Sequence, residues 1–307
     1  MDVRRSTARG KNSHEKRVWL AAMLIGVCVA ATSHGQVVFT DGFESGDGTL
    51  WSDVVGYLPA TAYRVTDLDL RDPHVFVDLG IGGCFDFTDN EIPLAGVSFN
   101  GELGEELNFD GDGDGFLDAS LLVLFRPLDQ GVGNRTQAEL RGAMCTDPVA
   151  TTACTNDPMN VPAITEIANQ DSGVCLDSVV GTTTGYSPAV AAVLPDCFVG
   201  DEVTASLSFG GSEIALTSAR WAATWVGDPA TELTGGLVRG FISESDADQI
   251  LLPEDLPLVG GQSISLLLPG GTGNCSAGDD RDMHNGEMGW WFYFAFEAER
   301  QDAYTGP

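Results

Sequence analysis

The sequence predicts an all-β protein: a β-sandwich, jelly-roll-like, with one or two short helices and with disulfide bonds as staples. Most apolar residues fall in short runs that alternate with polar residues, which is the period of a strand with one buried face. Glycine, proline, aspartate and asparagine separate these runs, as in antiparallel strands joined by turns. Six of the seven cysteines follow residue 35, and an even number suits a disulfide framework.

Eight segments have the composition and period of strands. In residues 202–209, Val203, Ala205 and Leu207 share one face and small polar residues the other, which is typical of a half-buried antiparallel strand. Residues 290–298 are almost wholly apolar, and the neighbours Trp290 and Trp291 must face opposite sides of a strand. The other six segments are residues 75–79, 94–99, 121–125, 213–217, 237–242 and 264–268.

One helix is predicted from Ser243 to Leu252. Ser243 is a favourable N-cap, acidic residues occupy the first turn, and Pro253 follows as a stop. Residues 218–226 are ambiguous, because Trp221 and Trp225 have the four-residue spacing of a helix face while the flanking residues favour strands.

Residues 1–35 have the three parts of a secretory signal peptide. A basic region ends at Arg17, an apolar stretch covers residues 18–31, and small residues at Ser33 and Gly35 suit cleavage after Gly35. The alternative is an uncleaved membrane anchor, but the apolar stretch is shorter than a typical membrane span.

The rest of the chain is predicted to be secreted or periplasmic. We expect an N-terminal arm or edge strand over residues 36–56 and a single β-sandwich domain over residues 57–307. No membrane insertion of the mature chain is expected.

The charge balance excludes some partners. The formal net charge of the chain is −30, and without residues 1–35 it has nine arginines, no lysine and 43 acidic residues, a net charge of −34. Such a surface repels nucleic acid and anionic membranes, so no nucleic-acid partner is expected. Cation binding, a saline habitat and a genome that depletes lysine codons are three compatible explanations of this composition.

The six later cysteines are not spaced as zinc ligands, and disulfides suit an exported chain. Six cysteines permit 15 pairings. Pairing sequence neighbours gives two local loops, and the two remaining cysteines then join the beginning of the domain to its end. The expected bonds are Cys145–Cys154, Cys175–Cys197 and Cys84–Cys275.

A glycine-rich aspartate loop at residues 110–118 predicts a calcium site. Its carboxylates alternate along a tight turn, the arrangement that a hard cation such as Ca²⁺ requires. Gly115 provides the sharp turn, and Leu117 is expected to pack inward. The candidate ligands are Asp110, Asp112, Asp114, the carbonyl of Phe116, and Asp118.

This loop resembles the calcium loops of EF-hands, dockerins and thrombospondin type 3 repeats over nine residues. It departs from them where Leu121 replaces the final bidentate acid and where a strand follows instead of a helix. An EF-hand domain is therefore not expected, and the missing ligand must come from elsewhere. Asp129, Glu105 and Glu106 are the nearest candidates in the sequence. The alternative is a solvated acidic turn.

A second candidate polar site precedes the last strand. It comprises Asp279, Asp280, Asp282 and His284. Carboxylates beside a histidine suit metal binding or acid–base chemistry. The structural alternative is a polar hairpin in which Arg281 pairs with its acidic neighbours and Asn285–Gly286 forms the turn, which is ordinary chemistry for a loop between strands.

Recognisable hydrolase motifs are missing from the sequence. It contains no G-x-S-x-G, no H-E-x-x-H and no phosphate-binding loop. The two histidines after residue 35 are His74 and His284, and neither has a recognisable nucleophile beside it. Glycosidase chemistry needs only two carboxylates that the fold brings together, and the sequence does not identify them. Trp221, Trp225, Trp290 and Trp291 are candidates for a sugar-stacking face, although core packing is the ordinary role of tryptophan.

The segment after the predicted leader, with its Gly42-Phe-Glu-Ser-Gly-Asp47 run, resembles one found behind the signal peptide in many secreted proteins of Gram-negative bacteria. The body of the chain, including the runs at 125–130, 239–243 and 278–291, is similar to an uncharacterised family of such bacterial proteins. The resemblance implies export and supplies no mechanism.

We therefore expect a secreted, calcium-stabilised, non-catalytic β-sandwich that binds a glycan or a cell-surface component. One alternative is a secreted polysaccharide hydrolase or lyase that uses paired carboxylates. The other is a structural component of the envelope or matrix. The absence of a catalytic motif favours a role other than catalysis.

Overall fold

The computed structural model describes residues 60–306, apart from residues 81, 82, 94, 210, 211, 253–257, 274, 276 and 277. The predicted leader and the predicted arm at residues 36–56 lie outside the described residues. The helices are α1 (Phe99–Asn108) and α2 (Glu244–Ala247). The strands are β1 (Thr61–Asp72), β2 (Phe76–Asp78), β3 (Cys84–Asp86), β4 (Leu121–Arg126), β5 (Arg135–Cys145), β6 (Cys154–Asn156), β7 (Ala163–Gln170), β8 (Cys197–Gly200), β9 (Val203–Phe209), β10 (Ser212–Gly227), β11 (Ala230–Ser243), β12 (Asp282–His284) and β13 (Glu287–Gln301).

The strands form an eleven-stranded antiparallel sheet whose two ends meet. Its path runs β1, β4, β5, β7, β8, β10, β11, β13 and β12, while β6 and β9 pair with β5 and β10. Strand β13 also pairs with β1, placing Ala62 opposite Gln301 and Leu70 opposite Phe294. A separate ribbon pairs β2 with β3. The sheet is therefore closed on itself.

The all-β class with few helices is confirmed, and hydrogen bonds join eleven of the strands into one closed sheet. The long strands explain the closure. Strands β10, β11 and β13 have 16, 14 and 15 residues, and their pairings contain register shifts. Such irregularities increase the local twist and bend a sheet, so the first strand can reach the last.

The inside of the closed sheet holds the main core, and two of the aromatic side chains there, Tyr63 and Trp225, have hydrogen-bonded polar atoms. Phe125 lies 5.6 Å from Tyr63 and 4.9 Å from Trp225, between ring centroids. Tyr63 Oη donates to the Ala230 carbonyl at 2.9 Å, and Trp225 Nε1 donates to Asn169 Oδ1 at 3.1 Å. Buried aromatic residues stabilise a core when their polar ends find partners.

Two smaller apolar clusters lie on the outside of the sheet. One packs Phe241, Trp291 and Tyr293 beneath the segment between β7 and β8, residues 171–196, which we call the covering segment. Tyr293 Oη bonds to the Val179 N–H at 2.9 Å and so fastens that segment. The other cluster contains Leu117, Leu122, Leu124, Cys145 and Cys154.

The ambiguous residues 218–226 belong to strand β10, because tertiary packing outweighs the helical spacing of Trp221 and Trp225. Both side chains point into the core. Trp290 and Trp291 face opposite sides, as predicted, yet both are buried, one inside the sheet and one beneath the covering segment. None of these four tryptophans is more than 8% exposed, so none offers a sugar-stacking surface.

Three expectations about local structure are wrong. The predicted strand at residues 94–99 gives way to a turn and to helix α1, whose N-cap Ser98 accepts a bond from the Gly101 N–H. The predicted strand at 264–268 contains a 3₁₀ turn instead. The predicted helix at 243–252 begins at the expected N-cap, Ser243, but α2 ends at Ala247.

The side chain of Arg64, a residue of β1, holds α1 against this strand. It is 1% exposed, and its guanidinium donates to the Leu107 carbonyl at 2.8 Å and to Asn108 Oδ1 at 3.3 Å. A cation at the C-terminal end of a helix meets its unpaired carbonyls. Leu103 and Leu107, one helical turn apart, join the main core.

The three disulfides have the predicted pairing. They are Cys84–Cys275, Cys145–Cys154 and Cys175–Cys197. The first joins β3 to the segment before β12, the second closes the β5–β6 hairpin, and the third closes the covering segment. Within the described residues, no helix is both long enough and apolar enough to cross a membrane.

Candidate functional site

The aspartate loop between α1 and β4 brings three carboxylates together. Oxygens of Asp110, Asp112 and Asp118 lie within 4.8 Å of one another. Asp118 Oδ2 accepts from the Gly111 N–H at 2.9 Å, and a Cβ on Gly111 would lie 2.7 Å from that oxygen. A glycine is therefore required for this carboxylate to fold back over the loop.

Asp110 organises the turn. Its carboxylate accepts from the N–H groups of Gly113, Asp114 and Gly115 at 2.6, 3.1 and 2.8 Å. The bond from Gly115 is the largest of the causes that lower the pKa of Asp110, so the carboxylate stays charged. Gly113 and Gly115 have φ values of 76° and 94°, which glycine adopts without strain.

The loop is anchored to the second outer cluster. Leu117 packs inward, as predicted, with 5% of its surface exposed, and its N–H donates to the Cys145 carbonyl at 2.9 Å. The Asp147 N–H donates to the Gly115 carbonyl at 3.1 Å. These bonds form a bridge in which Phe116 lies opposite Thr146 and in which the Phe116 carbonyl takes no part.

Asp114 lies outside the group of three carboxylates. Its Oδ1 accepts from the Phe116 N–H at 2.8 Å, so the side chain caps its own turn. Among the described residues, the group does not include Asp129, Glu105 or Glu106 either. Asp129 instead accepts from the Gly131 N–H in the β4–β5 loop. The clustered carboxylates suit a cation, and calcium stays a prediction.

The second predicted cluster divides into a structural part and a polar network. In the structural part, Asn285 and Gly286 have φ values of 51° and 90° and join β12 to β13, as the hairpin interpretation requires. Arg281 pairs with Asp279 at 2.7 Å and with Glu244 of α2 at 2.6 Å. The Arg281 guanidinium is the main reason that the pKa of Asp279 is low.

The polar network joins Asp280 to the covering segment. Asp280 accepts from Tyr186 Oη at 2.5 Å and from Thr184 Oγ1 at 2.6 Å. The N–H of the same Thr184 donates to Asp72 Oδ2 at 2.9 Å, at the end of β1. Asp72 is 2% exposed, and burial, opposed by that bond and reinforced by the Asp280 charge, raises its pKa to about 7. Thr184 therefore bonds to two carboxyl groups, those of Asp72 and Asp280, whose environments differ.

His74 lies next to this network and was not singled out as a site residue from the sequence. It is 4% exposed, its ring stacks on Tyr186 with centroids 3.9 Å apart, and its Nδ1 bonds to Asp86 Oδ2 at 2.6 Å. Among the described residues, nothing bonds to its buried Nε2. A carboxylate at Nδ1 fixes the ring orientation, and the spacing His74 to Asp86 could not have revealed that pairing.

The structure also joins His284 to a residue that sequence reasoning missed. Ser218 Oγ lies 2.8 Å from His284 Nε2, although strand β10 and strand β12 are far apart in the sequence. Asp282, another residue of the predicted site, lies in the same strand as His284 but takes no part in the contact between His284 and Ser218. Burial is the main reason that the pKa of Asp282 is raised. No motif surrounds Ser218, so the sequence carried no signal for it.

A cavity of about 460 Å³ lies near the Cys84–Cys275 bond. Its lining is mainly apolar side chains and backbone, and the only carboxylate among the lining residues, Asp78, caps the Gly80 N–H at 2.7 Å. This cavity lacks the convergent polar groups that orient a small-molecule ligand.

Comparison of the chain with protein-family models, with curated proteins and with solved structures finds no match. The candidate sites therefore rest on geometry and chemistry alone.

Proposed function

We propose that the protein is an exported, calcium-stabilised binding protein that attaches to a glycan or a cell-surface component through the face around Phe109. The observation that carries this proposal is the placement of that side chain. It is 62% exposed and directly precedes Asp110, the first residue of the loop. Its carbonyl accepts from the Asp118 N–H at 3.0 Å, which ties the aromatic residue to the clustered carboxylates.

The chemistry of the loop supports this role. Calcium takes 6–8 oxygen ligands, and three carboxylates held this closely repel one another unless a cation neutralises them. Asp110, Asp112, Asp118 and the carbonyl of Phe116 would hold the ion and would leave positions for water or for hydroxyl groups of a ligand. A sugar ring offers such hydroxyls together with an apolar face that stacks on an aromatic ring.

Single exposed apolar side chains are common on protein surfaces, so the test must compare Phe109 with another one. We would measure binding of residues 36–307 to a glycan array and to insoluble polysaccharides, with Ca²⁺ and with chelator. Chelation and Phe109→Ala should each abolish binding. Val180→Ala, at a residue that is 98% exposed in the covering segment, should retain it.

The absence of any ligand under either condition would contradict the binding role. Binding that is indifferent both to Ca²⁺ and to Phe109→Ala would place the ligand elsewhere.

A second candidate function is hydrolysis or lysis of a polysaccharide by paired carboxylates, favoured by the link through Thr184. Because its N–H and Oγ1 bond to Asp72 and Asp280, the bonded oxygens are at most about 9 Å apart. Glycosidases of both stereochemical types use carboxylates at separations of roughly this size or less. The raised pKa of Asp72 suits a proton donor, and Asp280 would be the second carboxylate of the pair.

Turnover of a polysaccharide panel by Asp280→Asn tests the second candidate, since asparagine keeps the shape and removes the charge. Activity should fall at least about 100-fold. Glu287→Gln, at an exposed position of the neighbouring hairpin, should leave activity unchanged. Undiminished turnover in Asp280→Asn would exclude this carboxylate. If neither binding nor turnover is found, a structural role in the envelope or matrix is the interpretation that remains.

A further inference from the structure

We propose that Ser218 and His284 are the nucleophile and the general base of an ester-hydrolysing site on the outer face of the sheet. The inference goes beyond the binding role, because it requires neither calcium nor Phe109. It is also separate from the paired carboxylates, because neither Asp72 nor Asp280 takes part.

The hydrogen bonds place the His284 ring in the state that a general base requires. Its Nε2 lies 2.8 Å from Ser218 Oγ and 3.0 Å from Asn285 Nδ2. An amide NH₂ can only donate, so both contacts fit the tautomer protonated on Nδ1, in which the single lone pair of Nε2 is shared between the Ser218 hydroxyl and Asn285 Nδ2. A nucleophile and a base within hydrogen-bond distance are the minimal requirement for serine catalysis.

The backbone at Ser218 is strained. Its φ is 49°, a left-handed value that residues with a Cβ seldom adopt. The strain coincides with an irregularity of β10, whose pairing with β11 shifts register between Thr217 and Arg220. Bulges next to functional sites aim a side chain that a regular strand would point elsewhere. A non-glycine residue kept in a strained conformation points to a functional requirement.

Aromatic neighbours orient the imidazole. The His284 ring centroid lies 5.0 Å from that of Phe241 and 4.8 Å from that of Trp291. Both neighbours are buried in the outer cluster, and their contacts with the imidazole restrict the positions that it can adopt. Ser218 and His284 themselves are partly exposed, and Asn285 is exposed, so a substrate can reach the pair from solvent.

The reaction follows the ordinary course of acyl transfer. Ser218 Oγ attacks the ester carbonyl carbon while its proton passes to His284 Nε2. The C–O bond to the alcohol breaks, and the leaving alkoxide takes the proton from Nε2. A water molecule, deprotonated by Nε2, then attacks the acyl-serine; the bond between the acyl carbon and Oγ breaks, Oγ takes the proton back from Nε2, and a carboxylic acid is released. Once Nε2 carries the proton it no longer accepts from Asn285 Nδ2, and this neutral donor is then released to bind the oxyanion.

Two arginines next to Ser218 indicate the charge of the substrate. Arg220 and Arg239 lie directly opposite each other on β10 and β11, an arrangement that is unfavourable for like charges. Six of the nine arginines of the described region form ion pairs with carboxylates. Within that region, Arg220 and Arg239 form none and bond only to backbone carbonyls, those of Gly200 and Asp177.

Two neighbouring arginines that form no ion pair are unexpected in so acidic a chain, and the charges of Glu202 and Asp177 act on Arg239 only after burial and the repulsion from Arg220. The buried Nε of Arg239 has no partner among the described residues, and burial, with the neighbouring charge of Arg220 second, lowers its pKa. An anionic group would compensate both charges, because guanidinium binds carboxylate and sulfate in the same forked geometry. The substrate class is therefore an ester that carries an anionic substituent.

The experiment combines labelling with turnover. Residues 36–307 are treated with a tagged fluorophosphonate, the labelled peptide is identified by mass spectrometry, and hydrolysis of phenyl acetate and of 4-acetoxybenzoate is followed. We expect the label on Ser218, and we expect Ser218→Gly to lower both hydrolysis rates by about 10²–10⁴-fold. Arg239→Gln should raise KM for the anionic 4-acetoxybenzoate about tenfold and leave that for neutral phenyl acetate unchanged.

Ser218→Gly is the informative variant because glycine accepts the positive φ, so the fold should be at least as stable as the native one. Ser172→Ala, in the exposed part of the covering segment, serves as the matched control and should keep full labelling and activity. Failure of the native protein to react, a label on another serine, or activity that persists in Ser218→Gly would each overturn the proposal. Equal KM changes for the two esters in Arg239→Gln would overturn the anionic substrate class.

Discussion

Replacing Cys84 and Cys275 by alanine should destabilise the fold more than replacing Cys145 and Cys154. The Cys84–Cys275 bond closes a loop of 191 residues, whereas the Cys145–Cys154 bond closes one of 9 residues. A cross-link stabilises a protein mainly by restricting the unfolded chain, and the restriction grows with the length of the closed loop. The first double variant therefore releases far more freedom in the unfolded state.

The loop lengths set the magnitude. The chain-entropy relation gives about 5.3 kcal/mol for a loop of 191 residues and about 2.6 kcal/mol for one of 9 residues at 25 °C. Loss of packing acts in the opposite direction. Cys145 and Cys154 are 0% and 1% exposed, while Cys84 is exposed and Cys275 is buried. If packing dominated, the variant of the short loop would be the less stable one.

The assay is equilibrium unfolding in urea without reductant, followed by the fluorescence of the buried tryptophans. The free energy of unfolding of Cys84→Ala/Cys275→Ala should fall below that of Cys145→Ala/Cys154→Ala by about 2–3 kcal/mol. Its m-value should also rise more, because the unfolded chain exposes more surface. Equal losses, or the reverse order, would refute the argument from loop closure.

Three further predictions concern individual residues. Chelation of calcium should lower the thermal unfolding midpoint of the native protein by about 5–10 °C in calorimetry, as expected for an ion present at about 100 times its Kd. Asp112→Asn should abolish that difference, whereas Asp114→Asn, at a residue outside the carboxylate group, should preserve most of it. The pKa of Asp72 is raised to about 7 in the folded protein. Above about pH 4 the unfolded chain releases this proton while the folded protein keeps it, so the free energy of unfolding falls as the pH rises from about 4 to about 7. Asp72→Asn should therefore be more stable than the native protein at pH 8 by about 1–3 kcal/mol and equally stable at pH 4; equal midpoints at both pH values would contradict the buried charge. Gly236→Ala should cost about 1–3 kcal/mol, because its Cβ would lie 2.5 Å from the Phe296 ring, and an unchanged midpoint in urea would show that the ring can move.

The sequence predicted correctly those features that are determined by residues close together in the chain. Asn285 and Gly286 adopt positive φ values, which asparagine and glycine tolerate better than other residues. Ser243 caps a helix because its hydroxyl can reach the Asp246 N–H. The disulfides were predictable because pairing neighbours left a single remaining combination, Cys84 with Cys275.

The sequence did not predict those features that depend on contacts between residues far apart in the chain. Helix α1 contains Gly101 and Gly104, two residues that lower helix propensity, and it is stabilised by Arg64, a residue of another element. The closure of β13 onto β1 depends on irregularities that have no signature in the sequence. One such irregularity also places Ser218 against His284, and therefore no motif search could have joined them.

The pairing of β1 with β13 has a consequence for how the chain acquires its structure. One edge of β1 pairs with β4, but its other edge pairs with β13, so the pairing of Ala62 is not complete until Gln301 has been synthesised. Contacts so distant in the sequence slow folding, because a long loop must close before they stabilise anything. A newly made chain therefore has a long interval in which its sheet is incomplete. The export that we propose would benefit from this delay, because a chain whose ring of strands is still open would cross a membrane more readily than the folded protein.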